Sequence, residues 1–200
     1  MSKSLFSSLF CLLTFSAASY GSVVFQDNFD SYTSGTYGNL AALGTNWTVN
    51  NSIDVVGGSF HPELVVGSES GNAIDLDGDV QGGLTSANFF LAPGNYTLVF
   101  DLNGSQRGVA TSTTVTLGTF VNQTILQNSP DLGPAETFSF SVGAGTTTNL
   151  VFTSNTPGNI GALLDNVSLF DTSIPEPSTF GLMLGSIPFL WIANKRYMRR

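Results

Sequence analysis

Carboxylates carry most of what this chain could do chemically, and they are densest at Asp75-Leu76-Asp77-Gly78-Asp79. Acids on alternate positions at a strand end, with a glycine among them, can turn hard oxygens toward one cation. Asp75, Asp77 and Asp79, joined by Asp165 from the last strand or by Asp27 and Asp30 from the first, are therefore candidate ligands for Ca²⁺, the one cofactor these residues suggest. The run is no EF-hand loop: its glycine comes too early, and Ser86 stands where the twelfth-position Glu belongs. The competing reading is an acidic turn whose oxygens face water or accept turn N–H groups.

Other chemistry has thin support. His61 is the only histidine, no Gly-x-Ser-x-Gly elbow occurs, and the only cysteine, Cys11, lies in an N-terminal apolar run. Serine and thiol nucleophiles therefore lack their partners. Lysine is absent between Ser22 and Ser173, which removes Schiff-base and phosphate-loop chemistry. Two-carboxylate glycoside hydrolysis keeps Glu63, Glu69 and Glu136 as candidates, but no closely spaced acidic strand supports it. Sugar binding wants an aromatic face flanked by amides. Tyr32, Tyr37 and Asn39 in a Gly-rich loop, and Arg107 after Asn103-Gly104-Ser105-Gln106, are the candidates. Trp47 alternates with Val49 and reads as core.

Charge narrows the partners further. The chain carries a formal charge of −8, and between Ser22 and Ser173 thirteen Asp and Glu face only Arg107 and His61. Such a surface repels phosphate backbones, which excludes nucleic acid, while it favours cations and tolerates neutral sugars.

The elements that must position these groups are short strands. Val23-Val24-Phe25, Trp47-Thr48-Val49, Ile53-Asp54-Val55, Leu64-Val65-Val66, Ala73 to Leu76 and Gly83 to Leu91 come first. Tyr96 to Leu102 has the clearest period of two, after a turn at Pro93-Gly94-Asn95. Thr113 to Leu117, Phe120 to Leu126, Thr137 to Val142, Asn149 to Phe152 and Leu163 to Phe170 complete the set. About ten strands at turn-punctuated spacing, with no strong helix and no repeat, predict an all-β, two-sheet sandwich. Tyr96, Leu98, Phe100 and Leu102, with Phe138, Phe140 and Val142, are its expected inner face.

Three segments add a resemblance: Gly71 to Gly78, Gly82-Gly83-Leu84 through Gly104, and Gly161 to Leu169. In order and spacing they look like the galactose-binding-like jelly rolls of bacterial choice-of-anchor proteins and of a plant cell-wall family with no assigned enzyme activity. The resemblance implies a jelly-roll β-sandwich that binds glycans or packs in a matrix. The single domain and the lack of cysteines depart from the plant members, and no ligand residue carries over.

The ends read as export signals. Lys3, the apolar run Leu5 to Phe15 and Ser16 to Gly21 form a secretory leader for the Sec translocon and signal peptidase, with cleavage after Ala18 or Gly21. At the other end stand Pro175-Glu176-Pro177-Ser178, an apolar run from Phe180 to Ala193, and a basic end with Lys195, Arg196, Arg199 and Arg200. This ordered triple closely resembles the PEP-CTERM sorting tail of Gram-negative bacteria. There an exosortase, a membrane cysteine protease-transpeptidase, is thought to cut near Pro-Glu-Pro. Fourteen apolar-run residues span about 21 Å as a helix, short of a hydrocarbon core of about 30 Å. A short span suits a temporary transmembrane helix whose basic residues snorkel.

The expected organisation is a signal peptide at 1–21, a sandwich at 22–172 and a sorting tail at 173–200. The expected product is a non-enzymatic protein exported across the inner membrane. It is held briefly at the membrane, then delivered to the cell surface or an extracellular polysaccharide matrix. An uncleaved membrane-anchored adhesin and a weak glycan hydrolase are the other readings.

Overall fold

Alternation of apolar and polar side chains, broken by Gly, Pro and Asn, is enough to make nearly every element here a strand. The computed structural model describes residues 21–64, 71–130 and 132–173. Among them the strands are β1 (Ser22–Asp27), β2 (Gly35–Gly38), β3 (Ala42–Leu43), β4 (Trp47–Asn50) and β5 (Ser52–Val56). Next come β6 (Ala73–Asp75), β7 (Gly83–Ser86), β8 (Phe89–Leu91), β9 (Gly94–Asn103) and β10 (Thr111–Leu117). The series ends with β11 (Val121–Gln127), β12 (Glu136–Val142), β13 (Thr146–Thr148), β14 (Leu150–Ser154) and β15 (Leu163–Asp171).

Two antiparallel sheets face each other across one core. The first runs β12-β9-β15-β6-β5-β2, and the second runs β11-β10-β14-β7-β4-β3. A small third sheet pairs β13 with β8. One edge of β15 is shared: Leu163 and Leu164 pair with β6, and Val167 to Asp171 pair with β1. The first strand thus lies beside the last, with Ser22 opposite Asp171.

The inner face of β9 is the one its alternation predicts. Tyr96, Leu98, Phe100 and Leu102 are all buried, and burying a ring such as Phe100 stabilises the fold by about 1.5–3 kcal/mol. Phe100 meets Phe152 of the opposite sheet edge to face, centroids 5.0 Å apart. Phe140 of β12 stacks between Tyr96 and Phe120 at 5.6 and 5.3 Å, closing that side of the sandwich. Trp47 is core, as its alternation with Val49 implies.

Two expected strands and one expected loop differ. The run Gly83 to Leu91 divides at Ala87-Asn88, because the Ala87 N–H donates to the Asn46 carbonyl at 2.7 Å and β8 leaves the second sheet to pair with β13. Leu64 belongs to a 3-10 turn, Pro62–Leu64, and packs with Val56, Ala73 and Leu163 in a satellite apolar cluster. The Gly-rich loop before Asn39 contains the edge strand β2. The leader, the Pro175–Ser178 motif and the basic end at Lys195, Arg196, Arg199 and Arg200 lie outside the described residues. No helix among the described residues is long and apolar enough to cross a membrane.

Candidate functional site

One candidate site among the described residues grows from the end of β1. Asp27 closes that strand, and both its carboxylate oxygens are occupied. Oδ1 accepts the Phe29 N–H at 2.9 Å, while Oδ2 accepts the Tyr32 hydroxyl at 2.5 Å, the Asn46 amide at 3.0 Å and the Trp47 indole N–H at 3.0 Å. One carboxylate therefore fixes three side chains drawn from two separate segments. The loop that makes this possible turns at Phe29, which is fully buried at φ 57° and stacks obliquely on Trp47 at 5.8 Å.

Around this hub Gln26, Asp27, Asn28, Ser31, Tyr32 and Asn46 line a cavity of about 440 Å³. Tyr32 is held from both ends of its contacts: its hydroxyl by Asp27, and its ring against Gly44. A Cβ at Gly44 would lie 2.9 Å from the ring, and the backbone there has φ +61°, so glycine is required on two counts. Burial, and next the Asp27 carboxylate, raises the Tyr32 phenol well above its ordinary range, so it remains a donor.

Chemically the cavity offers amides, hydroxyls and an aromatic ring around an acid that accepts four hydrogen bonds. Its described lining holds no thiol, amine or imidazole, and three of the four hydrogen bonds to its carboxylate converge on Oδ2, leaving Oδ1 with the Phe29 N–H. His61 is elsewhere, paired with Glu63 at 3.0 Å on the surface, and that hydrogen bond lowers the Glu63 carboxyl. Glu136 accepts from the Gln127 amide at 3.3 Å. Glu69 lies outside the described residues.

Of the four sugar-binding candidates, only Tyr32 lines the cavity. Tyr37 sits in β2 and donates its hydroxyl to the Thr33 carbonyl at 2.8 Å. The Asn39 side chain accepts the Asn51 N–H at 3.0 Å, a role in shaping the turn between β4 and β5. Arg107 is no open loop cation: it pairs with Asp75, whose side chain is 1% exposed. Asn46 and Asp27 were the residues that sequence reasoning missed as partners of Tyr32. Position before an alternating strand hinted at Asn46, but nothing local linked it to a residue 19 positions away.

Three of the four expected Ca²⁺ ligands are engaged by other partners. Asp75 accepts the Asp77 and Gly161 N–H groups and pairs with Arg107. Asp77 accepts the Gly82 N–H and the Ser154 hydroxyl, both at 2.9 Å, tying the loop after β6 to β14. Asp79 is exposed, and Asp165 accepts the Asn166 N–H at 2.7 Å. Among the described residues no three His, Cys, Asp and Glu are placed to hold a metal ion. Asp75, Asp77 and Asp165 thus serve as turn and loop acceptors, while Asp79 donates its backbone N–H to the Ser52 hydroxyl at 3.0 Å. Burial pushes the Asp75 carboxyl up to about 7, against the pull of the Asp77 N–H and Arg107. Burial also raises Asp77, opposed by the Gly82 N–H.

Fold and site together define an all-β, two-sheet antiparallel sandwich with a polar cavity at the end of its first strand. No protein-family model matches the chain, and no curated protein does. Among solved structures, the K3 adhesin domain of Lys-gingipain from Porphyromonas gingivalis is similar at a TM-score of 0.50 and 13% identity, over 76% of this chain and 99% of that one. The CBM22-1 xylan-binding domain of Paenibacillus barcinonensis Xyn10C gives 0.45 and 12%, over 79% and 99%. The tandem CBM22-1–CBM22-2 structure from the same protein gives 0.49 and 13%, over 82% and 49%. At these identities the likeness is one of fold.

Proposed function

We propose that this chain is a non-catalytic, glycan-binding or adhesive β-sandwich whose cavity at Asp27, Tyr32 and Asn46 takes one neutral sugar unit of an extracellular polysaccharide. The observation that carries the reading is the Asp27 carboxylate as a positioning group: its Oδ2 holds Tyr32 and Asn46 in place. A site prepared in this way presents fixed amide and hydroxyl groups to a polar, uncharged ligand. The acidic balance of the domain disfavours anionic polymers. Affinity electrophoresis against neutral polysaccharides tests it. Asn46→Ala should weaken retardation about tenfold, the worth of one good hydrogen bond. Retardation equal to that of the unaltered protein would remove the cavity from the binding account.

The same reading includes export. The leader and the Pro175-Glu176-Pro177-Ser178 tail fit delivery across the inner membrane, exosortase processing and release to the cell surface or matrix. Alanines at Pro175, Glu176 and Pro177 should hold the protein in the membrane fraction. Mass spectrometry of the matured protein decides between routes, because a retained Arg200 means an uncleaved, membrane-anchored adhesin.

A further inference from the structure

We infer that the ring of Phe90 is a second sugar contact, a stacking platform for a neutral pyranose adjoining the unit held in the Asp27 cavity. The inference rests on the glycan-binding reading and names a surface outside that cavity. Phe90 is 63% exposed, although it is a large apolar side chain at the middle of β8. Its neighbour Phe89 points the other way and packs against Phe25, centroids 5.7 Å apart. Alternation along the strand therefore places one ring in the core and presents the other to solvent.

The exposed ring is held in place. Its tip rests on Gly145, where a Cβ would come within 2.7 Å of Cζ. The root of the ring is fixed by β8, whose pairing sets Phe90 opposite Thr147. A ring anchored at both ends loses little rotamer freedom when a ligand lies on it, and that is what a stacking platform needs. The π-face would meet the apolar C–H face of a pyranose, while Thr147 and Asn88, both exposed, supply hydroxyl and amide partners.

Charge and position agree with this occupant. No charged residue occurs from Val80 to Phe100 or from Thr137 to Leu164, the two stretches that build this surface in an otherwise acidic domain. A neutral ligand meets no repulsion there and no unpaired ion. The site also lies near the cavity along the chain. Ala87 is hydrogen-bonded to the carbonyl of Asn46, and Phe90 follows three residues later, a reach of at most about 10 Å of chain. One extended oligosaccharide spans that separation.

The experiment uses the full chain and a panel of neutral polysaccharides, xylan, galactan and glucan, in affinity gels and titration calorimetry. Phe90→Ala should weaken binding about threefold to tenfold, with Phe90→Trp equal to or tighter than the unaltered protein. Gly145→Val, which pushes the ring from its seat, should weaken binding similarly. Thermal melting should be unchanged for the Phe90 variants, since the ring is exposed. Phe90→Ala binding as tightly as the unaltered protein, while Asn46→Ala binds less, would overturn the Phe90 assignment and leave the cavity reading standing. A Phe90→Ala effect on oligomeric state without an effect on glycan binding would make the ring a contact between copies and overturn it too. No binding by the unaltered protein across the panel would sink both readings.

Discussion

Arg107→Gln should destabilise the protein strongly at pH 8 and weakly at pH 5. Arg107 is the only Lys or Arg between Ser22 and Ser173, and it pairs with the buried carboxyl of Asp75. That carboxyl sits at about 7 against an ordinary 3.8, first because of burial. The fold therefore keeps a proton that the unfolded chain releases. The stabilisation from this proton is complete below about pH 4 and drains away as pH rises toward 7, by about 4 kcal/mol in all. Removing the guanidinium pushes the carboxyl higher still, so the loss continues above pH 7. A buried charge deprived of its partner costs about 3–5 kcal/mol. Because 33% of the Arg107 side chain meets solvent, screening reduces the figure to about 2–3 kcal/mol at pH 8. At pH 5 Asp75 carries its proton, and only a hydrogen bond of about 1 kcal/mol is lost. Urea unfolding followed by tryptophan fluorescence at both pH values measures the difference, with Asp75→Asn as the variant that should flatten it. An equal loss at pH 5 and pH 8, or a greater loss at pH 5, would refute the reasoning.

Three other outcomes follow from the packing and the Asp27 hub. Asp27→Asn replaces charge-assisted hydrogen bonds to Tyr32, Asn46 and Trp47, so it should lower stability by about 2–3 kcal/mol and weaken glycan retention together, read by denaturant melts and affinity gels on one sample. Gly44→Val combines a left-handed backbone with a side chain in the Tyr32 ring. A loss of at least about 2 kcal/mol is expected, against under 1 kcal/mol for the same change at exposed Gly143, which has open space around it. Phe100→Ala empties a fully buried site between the sheets and should cost about 3–5 kcal/mol without altering the Asp27 cavity, so binding at saturating fold should persist at low temperature.

Local pattern carried much of the fold. The Tyr96 to Leu102 alternation, the core position of Trp47 and the pairing of first and last strands follow from period-two burial and the habits of sandwiches. What local pattern could not carry was any choice between two equally apolar neighbours. Phe89 and Phe90 look alike in sequence, yet only the change of sheet at Ala87 decides which one is buried. The acids misled for a similar reason. Asp75 and Asp77 alternate as cation ligands would, but their partners lie 32 and 77 positions away, in Arg107 and Ser154. Tyr32 was legible because an aromatic in a Gly-rich loop is conspicuous. Its orientation depended on Asp27 and Asn46, which meet it only once β1 and β4 are in place.

The placement of β1 against the C-terminal half of β15 sets how the molecule would bear mechanical load. Ser22 and Asp171 are cross-strand neighbours, and Thr172 and Ser173 are latched to Asn95 at the start of β9 through hydrogen bonds of 2.7–3.1 Å. The cavity opens at the far end of β1, five residue steps or about 17 Å from Ser22. Tension between a tether beyond Ser173 and a polymer gripped near Asp27 would run lengthwise along β15 and β1, so their rungs would resist in shear, all at once. Pulling the two chain ends apart would instead open the same ladder like a zipper, one rung at a time. A ladder paired in this way is strong along its length and weak where Ser22 and Asp171 are pulled apart.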